Sequence, residues 1–126
     1  MTNVEELIKQ IIDCAYEVRI RLMPGFLESV YKKALLLELQ SRGILAEEEY
    51  PMKVFYKGTL VGEFRADIFV QRQVIVELKA VQQLNVAHEA QLINYLNVTN
   101  TDSGLLINFG GPRLEIRRKF REYKKK

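Results

Sequence analysis

The sequence predicts an α/β fold, and three observations carry that expectation. The first is the run Val74-Ile75-Val76 leading into Glu77-Leu78-Lys79-Ala80. Consecutive β-branched apolar residues read as a strand, and apolar character on both faces reads as a central one. The second is helical spacing from about Val86 to Val98, followed by the apolar run Gly104-Leu105-Leu106-Ile107-Asn108-Phe109. A strand–helix–strand crossover of that length makes its two strands parallel neighbours. The third is strict alternation from Glu63 to Val70 before a turn at Gln71-Arg72-Gln73, which returns the chain into the Glu77 strand.

Taken in order, Thr2 and Glu5 have capping-box spacing at a helix start. Val4, Leu7, Ile8, Ile11, Ile12, Ala15 and Val18 then form one apolar stripe, and Pro24-Gly25 ends the helix. A second helix is predicted from about Phe26 to Arg42, with Leu27, Val30, Tyr31, Ala34 and Leu35 inward and Gly43 as terminator. Glu28 falls in its first turn, where the helix dipole favours a carboxylate, and its apolar neighbours in sequence aim it toward the sheet. From Ile44 to Lys57 the chain reads as extended, with Pro51 suited to an edge strand. Tyr56-Lys57-Gly58-Thr59 reads as a tight hairpin. In the next strand Phe64, Ala66, Ile68 and Val70 share one face, and Glu63, Arg65, Asp67 and Phe69 the other.

Register decides what that hairpin can do. A two-residue turn at Gln71-Arg72 would pair Asp67 with Val76 and put it on the face opposite Glu77. A three-residue loop including Gln73 aligns Asp67 with Glu77, and that arrangement is predicted. In the crossover helix Ala87, Ala90, Leu92, Ile93 and Leu96 can supply the packing surface, while His88, Gln91 and Tyr95 form one polar stripe. Leu114 to Phe120 is a last strand or a short helix. No repeat or linker interrupts residues 1–126, which read as one domain.

Composition narrows the class. The chain of 126 residues is 48% hydrophobic and 28% charged, a globular balance rather than a disordered one. No apolar run is long enough to span a bilayer, and the start lacks a signal-peptide layout. The single Cys14 cannot form an internal disulfide, which suits the cytoplasm. The net charge of +3 is mild, but the excess gathers at Arg117-Arg118-Lys119 and Lys124-Lys125-Lys126, where it can meet a polyanion.

Glu28, Asp67, Glu77 and Lys79 are the residues whose chemistry needs explaining. Hard divalent cations take several carboxylate oxygens, and such a cation polarises a phosphoryl oxygen and generates hydroxide near neutral pH. A lysine two residues from a ligand shares its face and can orient water or offset charge on the phosphate.

These residues resemble the PD-(D/E)xK nuclease superfamily, with Ala66 in place of the proline before Asp67. Gln91-Leu92-Ile93-Asn94-Tyr95 is similar to the QxxxY motif of its exonuclease-like branch. Gly25-Phe26-Leu27-Glu28-Ser29-Val30-Tyr31 resembles the signature of the GxxExxY proteins. The resemblance implies a restriction-endonuclease-like core, a mixed β-sheet flanked by helices. It implies a Mg2+ or Mn2+ site made by Glu28, Asp67, Glu77 and the backbone carbonyl of Leu78, with Lys79 catalytic. Gln91 and Tyr95 would support the site or face substrate, and His88 one turn earlier could contact phosphate. The expected function is a metal-dependent nuclease acting on DNA rather than RNA, in repair, recombination or defence, with no membrane partner. Two competing readings are an idle module that binds nucleic acid or a protein partner, and a junction-resolving homodimer.

Overall fold

The computed structural model describes residues 3–122. Eight elements follow in order: α1 (Val4–Arg21), α2 (Glu28–Ser41), β1 (Ala46–Tyr56), β2 (Thr59–Val70), β3 (Val74–Lys79), α3 (Val86–Thr99), β4 (Ser103–Asn108) and β5 (Glu115–Phe120). The sheet has five strands in the order β1-β2-β3-β4-β5. Only the β3–β4 pair, joined through α3, is parallel; β1–β2, β2–β3 and β4–β5 are antiparallel. The mixed sheet flanked by helices is therefore as expected, and the segment after Leu114 is a strand.

Local chemistry explains the boundaries. Asn3, not Thr2, caps α1, its side chain accepting from the Glu5 N–H at 2.7 Å; Thr2 lies outside the described residues. The end of α2 is a Schellman motif. Gly43 takes φ +72°, its N–H reaches the Gln40 carbonyl, and the Ile44 N–H reaches Leu39. Lys57 and Gly58 both have positive φ, the geometry of a two-residue hairpin turn between Tyr56 and Thr59.

Three layers result. Leu7, Ile11 and Val18 of α1 and Tyr31, Leu35 and Leu39 of α2 pack on Ile68, Val70, Val74, Val76, Leu78, Leu105 and Ile107. On the other face Leu92, Tyr95 and Leu96 of α3 pack on Phe69, Ile75 and Leu106. Each fully buried leucine contributes roughly 1.5–3 kcal/mol relative to exposure. The central strands β3 and β4 are covered on both sides, which is why both read as unbroken apolar runs.

Two expectations about faces fail. Leu27 and Val30 are exposed, at 76% and 37%, because α2 begins at Glu28 and turns its Tyr31–Leu35–Leu39 stripe to the sheet. In β2, Ala66 packs on the α3 side while Ile68 and Val70 pack on the opposite side. Strict alternation breaks between them, at Asp67. The neighbouring β1 residue there, Glu49, has φ +52°, while the ladder is regular on either side at Glu48–Ile68 and Tyr50–Ala66. The hairpin thus exchanges faces at the point where Asp67 stands.

Candidate active site

The β2–β3 turn sets the register. Gln71 and Arg72 have positive φ, and the Gln73 N–H closes the turn on the Val70 carbonyl at 2.9 Å. The ladder nevertheless pairs Val70 with Val74, Phe69 with Ile75 and Ile68 with Val76. Gln73 is the extra residue, and the next position brings Asp67 opposite Glu77, as the three-residue loop predicts. There the backbone ladder stops. The Asp67 N–H donates to Glu77 Oε2 at 2.6 Å, and the Leu78 N–H donates to Asp67 Oδ2 at 2.8 Å. Each carboxylate replaces a strand carbonyl, so the pair is locked to both strands by its own backbone.

The electrostatics of this arrangement are unfavourable without a cation. Glu77 is only 5% exposed. Burial, then the charge of Asp67, pushes its carboxyl up to about 8, against the Asp67 N–H and Lys79, which favour the ionised form. Asp67 is raised as well, first by burial, with the Leu78 N–H and Lys32 opposing. Glu28 stands at the start of α2 with an exposed residue surface. Partial desolvation of its carboxyl, then the charge of Asp67, raises its pKa, while Lys79 lowers it. A pocket of about 280 Å³ joins Glu28, Ser29, Lys32, Glu49 and Asp67.

Glu28 is positioned by its neighbours. Gly25 has φ +125°, a conformation that a side chain would strain. The Tyr31 hydroxyl donates to the Met23 carbonyl at 2.7 Å and accepts from the Phe26 N–H at 3.1 Å. The Tyr31 ring stacks on Phe109 at 4.9 Å. The loop before α2 is thereby clamped to the sheet, and α2 starts at Glu28.

Lys79 lies at the end of β3, where its Nζ donates to Gln91 Oε1 at 3.3 Å. The β3–α3 loop that separates them is held by fully buried Asn108. The Asn108 Oδ1 accepts from the Val81 N–H at 3.0 Å, and its Nδ2 donates to the Val81 carbonyl at 2.9 Å. Gly110 lets that loop approach closely, since a Cβ there would stand 2.5 Å from backbone atoms of Ala80 and Val81.

A family model described as the PD-(D/E)XK nuclease superfamily matches residues 5–119. The chain belongs to that superfamily. No curated protein matches it. The crystal structure of SSO0001 is similar in fold, with a TM-score of 0.63 and 19% identity over 76% of this chain and 50% of that one. This chain thus corresponds to half of that protein's length.

PD-(D/E)XK nucleases generally use divalent metals, so the donor set can be judged against that need. Three carboxylates and no thiolate are what a hard cation takes. Burial is the first cause that raises each of the three carboxyl pKa values, so ionising them together is costly here. The donors fit in chemistry. In position they converge without closing. Among the described residues no group of three His, Cys, Asp or Glu side chains stands ready to hold a metal ion.

The remaining predicted residues have mixed outcomes. Tyr95 is buried against the sheet at 8% exposure, and burial, then the charges of Glu77 and Asp67, raises its pKa. Gln91 is exposed and meets Lys79. Ala87 and Ala90, expected to pack, are exposed, because Leu92, Tyr95 and Leu96 supply the inward stripe. His88 caps α3: its Nδ1 accepts from the Asn85 N–H, and Asn85 Oδ1 accepts from the His88 N–H. Arg117 and Lys119 pair with Glu89, and Arg118 with Glu5, so these cations of the basic cluster are engaged within the protein. Lys124, Lys125 and Lys126 lie outside the described residues. Lys32 and Glu49, an ion pair beside Asp67, were not anticipated.

Proposed function

We propose that this chain is a metal-dependent deoxyribonuclease that hydrolyses phosphodiester bonds. The observation that carries the reading is Asp67 facing Glu77 where the β2–β3 ladder stops, with Lys79 at the end of the same strand. Glu28, Asp67, Glu77 and the Leu78 carbonyl would hold Mg2+ or Mn2+. The bound cation would supply Lewis-acid polarisation of the phosphoryl group and a more acidic water. The chain's own residues do the rest. The backbone N–H groups of Asp67 and Leu78 fix one oxygen of each carboxylate, leaving the other oxygen of each for the cation. Water attacks phosphorus, the P–O bond to the leaving strand breaks, and the leaving oxygen takes up a proton. Lys79, oriented by Gln91, offsets the charge that develops on the phosphate. Tyr95, beside Glu77, faces the nucleotide at the cut. His88 keeps Nε2 for phosphate, since Nδ1 serves the helix cap.

A second reading, an idle nucleic-acid- or protein-binding module, draws on one observation: both central carboxylates are already satisfied by backbone N–H groups. One experiment separates the two. Purified protein is offered linear, circular, single-stranded and branched DNA, and RNA, with Mg2+, Mn2+ or a chelator. Metal-dependent cleavage of DNA, abolished by the chelator, is expected. Binding without cleavage of any substrate under every metal condition would establish the idle module, and preference for branched DNA would favour a junction-resolving dimer.

A further inference from the structure

We propose that the groove between the β1–β2 hairpin and α3 takes one unpaired base of the substrate, stacked on Phe64, next to the scissile phosphate. The proposal rests on the nuclease reading and adds to it the single-stranded character of the substrate at that point.

The groove encloses about 640 Å³, within the range of small-ligand clefts. Val54 and Phe64 form its hairpin wall, and Ala90, Gln91, Asn94 and Tyr95 are on its helix wall. None of its lining residues carries a charge. The carboxylate pocket, by contrast, is lined by Glu28, Lys32, Glu49 and Asp67. A phosphate would find no cation in the groove, whereas a nucleobase needs what the groove offers: an aromatic face, aliphatic walls and amides for its hydrogen-bonding edge.

Two residues of the groove connect it to the candidate active site. Gln91 lines it and also accepts from Lys79. Tyr95 lines it and feels the charges of Glu77 and Asp67. The Phe64 ring rests against the hairpin and near α3. Its ring lies over Gly62, where a Cβ would stand 3.0 Å from it, and 6.0 Å from the Tyr95 ring. Yet 46% of Phe64 remains exposed, which leaves an aromatic surface open. Ala87 and Ala90 keep the opposing helix surface low. A base inside a duplex is already stacked on both faces, so only an unpaired or extruded base can lie on this ring.

The test uses Lys79→Ala protein, expected to hold substrate without cutting it, and a single-stranded oligodeoxynucleotide carrying a fluorescent adenine analogue that stacking quenches. Binding should quench the fluorescence. Adding Phe64→Leu should weaken single-strand binding roughly 5- to 150-fold and abolish the quench, with duplex affinity unchanged; Phe64→Tyr should restore both. Ala90→Leu, at an exposed helix position compatible with folding, should narrow the groove and act in the same direction. Parent-like binding and quenching in both Phe64→Leu and Ala90→Leu would overturn the proposal, as would an equal loss on single strands and duplex. If wild-type protein still cuts DNA in those cases, only the groove assignment falls. Protein that neither binds nor cuts any nucleic acid removes the nuclease reading and the groove together.

Discussion

Glu77 is nearly out of water, faces a second carboxylate and keeps a backbone hydrogen bond that holds it there. Its carboxyl rises from the ordinary 4.5 to about 8 on folding. A carboxyl raised in the folded state binds its proton more tightly there. Its contribution is therefore fully favourable below pH 4.5, declines as pH rises through that window and is lost above about 8. Metal-free Glu77→Gln keeps the acceptor for the Asp67 N–H and removes the charge. It should melt above wild type at pH 8, by roughly 2–8 °C for each kcal/mol relieved, and the gap should close by pH 5. Equal melting temperatures at both pH values would mean that Glu77 bears no such electrostatic cost. The sequence offers Glu28, Asp67, Glu77 and Lys79 as candidates through their residue types, their spacing and the family resemblance they carry. Glu49 was not. It is one of three consecutive glutamates, and only its positive φ, a tertiary outcome, singles it out beside Asp67.

At the scale of elements, the β2–β3 register followed from sequence, since the requirement that two carboxylates meet selects an odd loop. The exchange of faces at Asp67 did not, because alternation from Glu63 to Val70 looks unbroken in sequence. In α3, Leu92 and Leu96 pack as their spacing predicts, whereas the places of Ala87, Ala90 and Tyr95 are hidden for a related reason. Alanines are compatible with either face, and Tyr95 looked polar although its ring fits the core. The link between β3 and α3 depends on Asn108, a residue that reads as an interruption in an apolar strand. Its side chain also donates to Glu115 Oε1 at 2.8 Å and accepts from the Gly110 N–H at 3.0 Å. Asn108→Ala would leave several of these partly buried groups unpaired. A loss of about 2–4 kcal/mol in urea unfolding is expected, with a fall in cleavage, because the Lys79–Gln91 contact spans that loop. A change below about 0.5 kcal/mol, the ordinary range for surface substitutions, would show that the loop is held by other means.

For the whole molecule, three layers bring four chain segments to one end of the sheet: the start of α2, the end of the β2–β3 ladder, the tip of β3 and the exposed side of α3. The central place of β3 was readable from its apolar run and its parallel pairing with β4 from the crossover rule, and the segments converge because the parallel β3–α3–β4 unit is anchored on an antiparallel hairpin. No described helix is long and apolar enough to cross a membrane. The proposed nuclease reading makes one demand of this convergence, that Lys79 act on the phosphate rather than merely pair at a strand end. The decisive measurement compares wild type with Lys79→Ala for DNA cleavage rate in Mg2+ or Mn2+ and for DNA affinity by fluorescence anisotropy. Cleavage should fall by at least about 100-fold, on the scale of losing one preorganised charge-stabilising donor, while affinity changes only modestly, as expected for one cation among several phosphate contacts. Lys79→Ala cleaving at the wild-type rate would contradict the assignment at its centre.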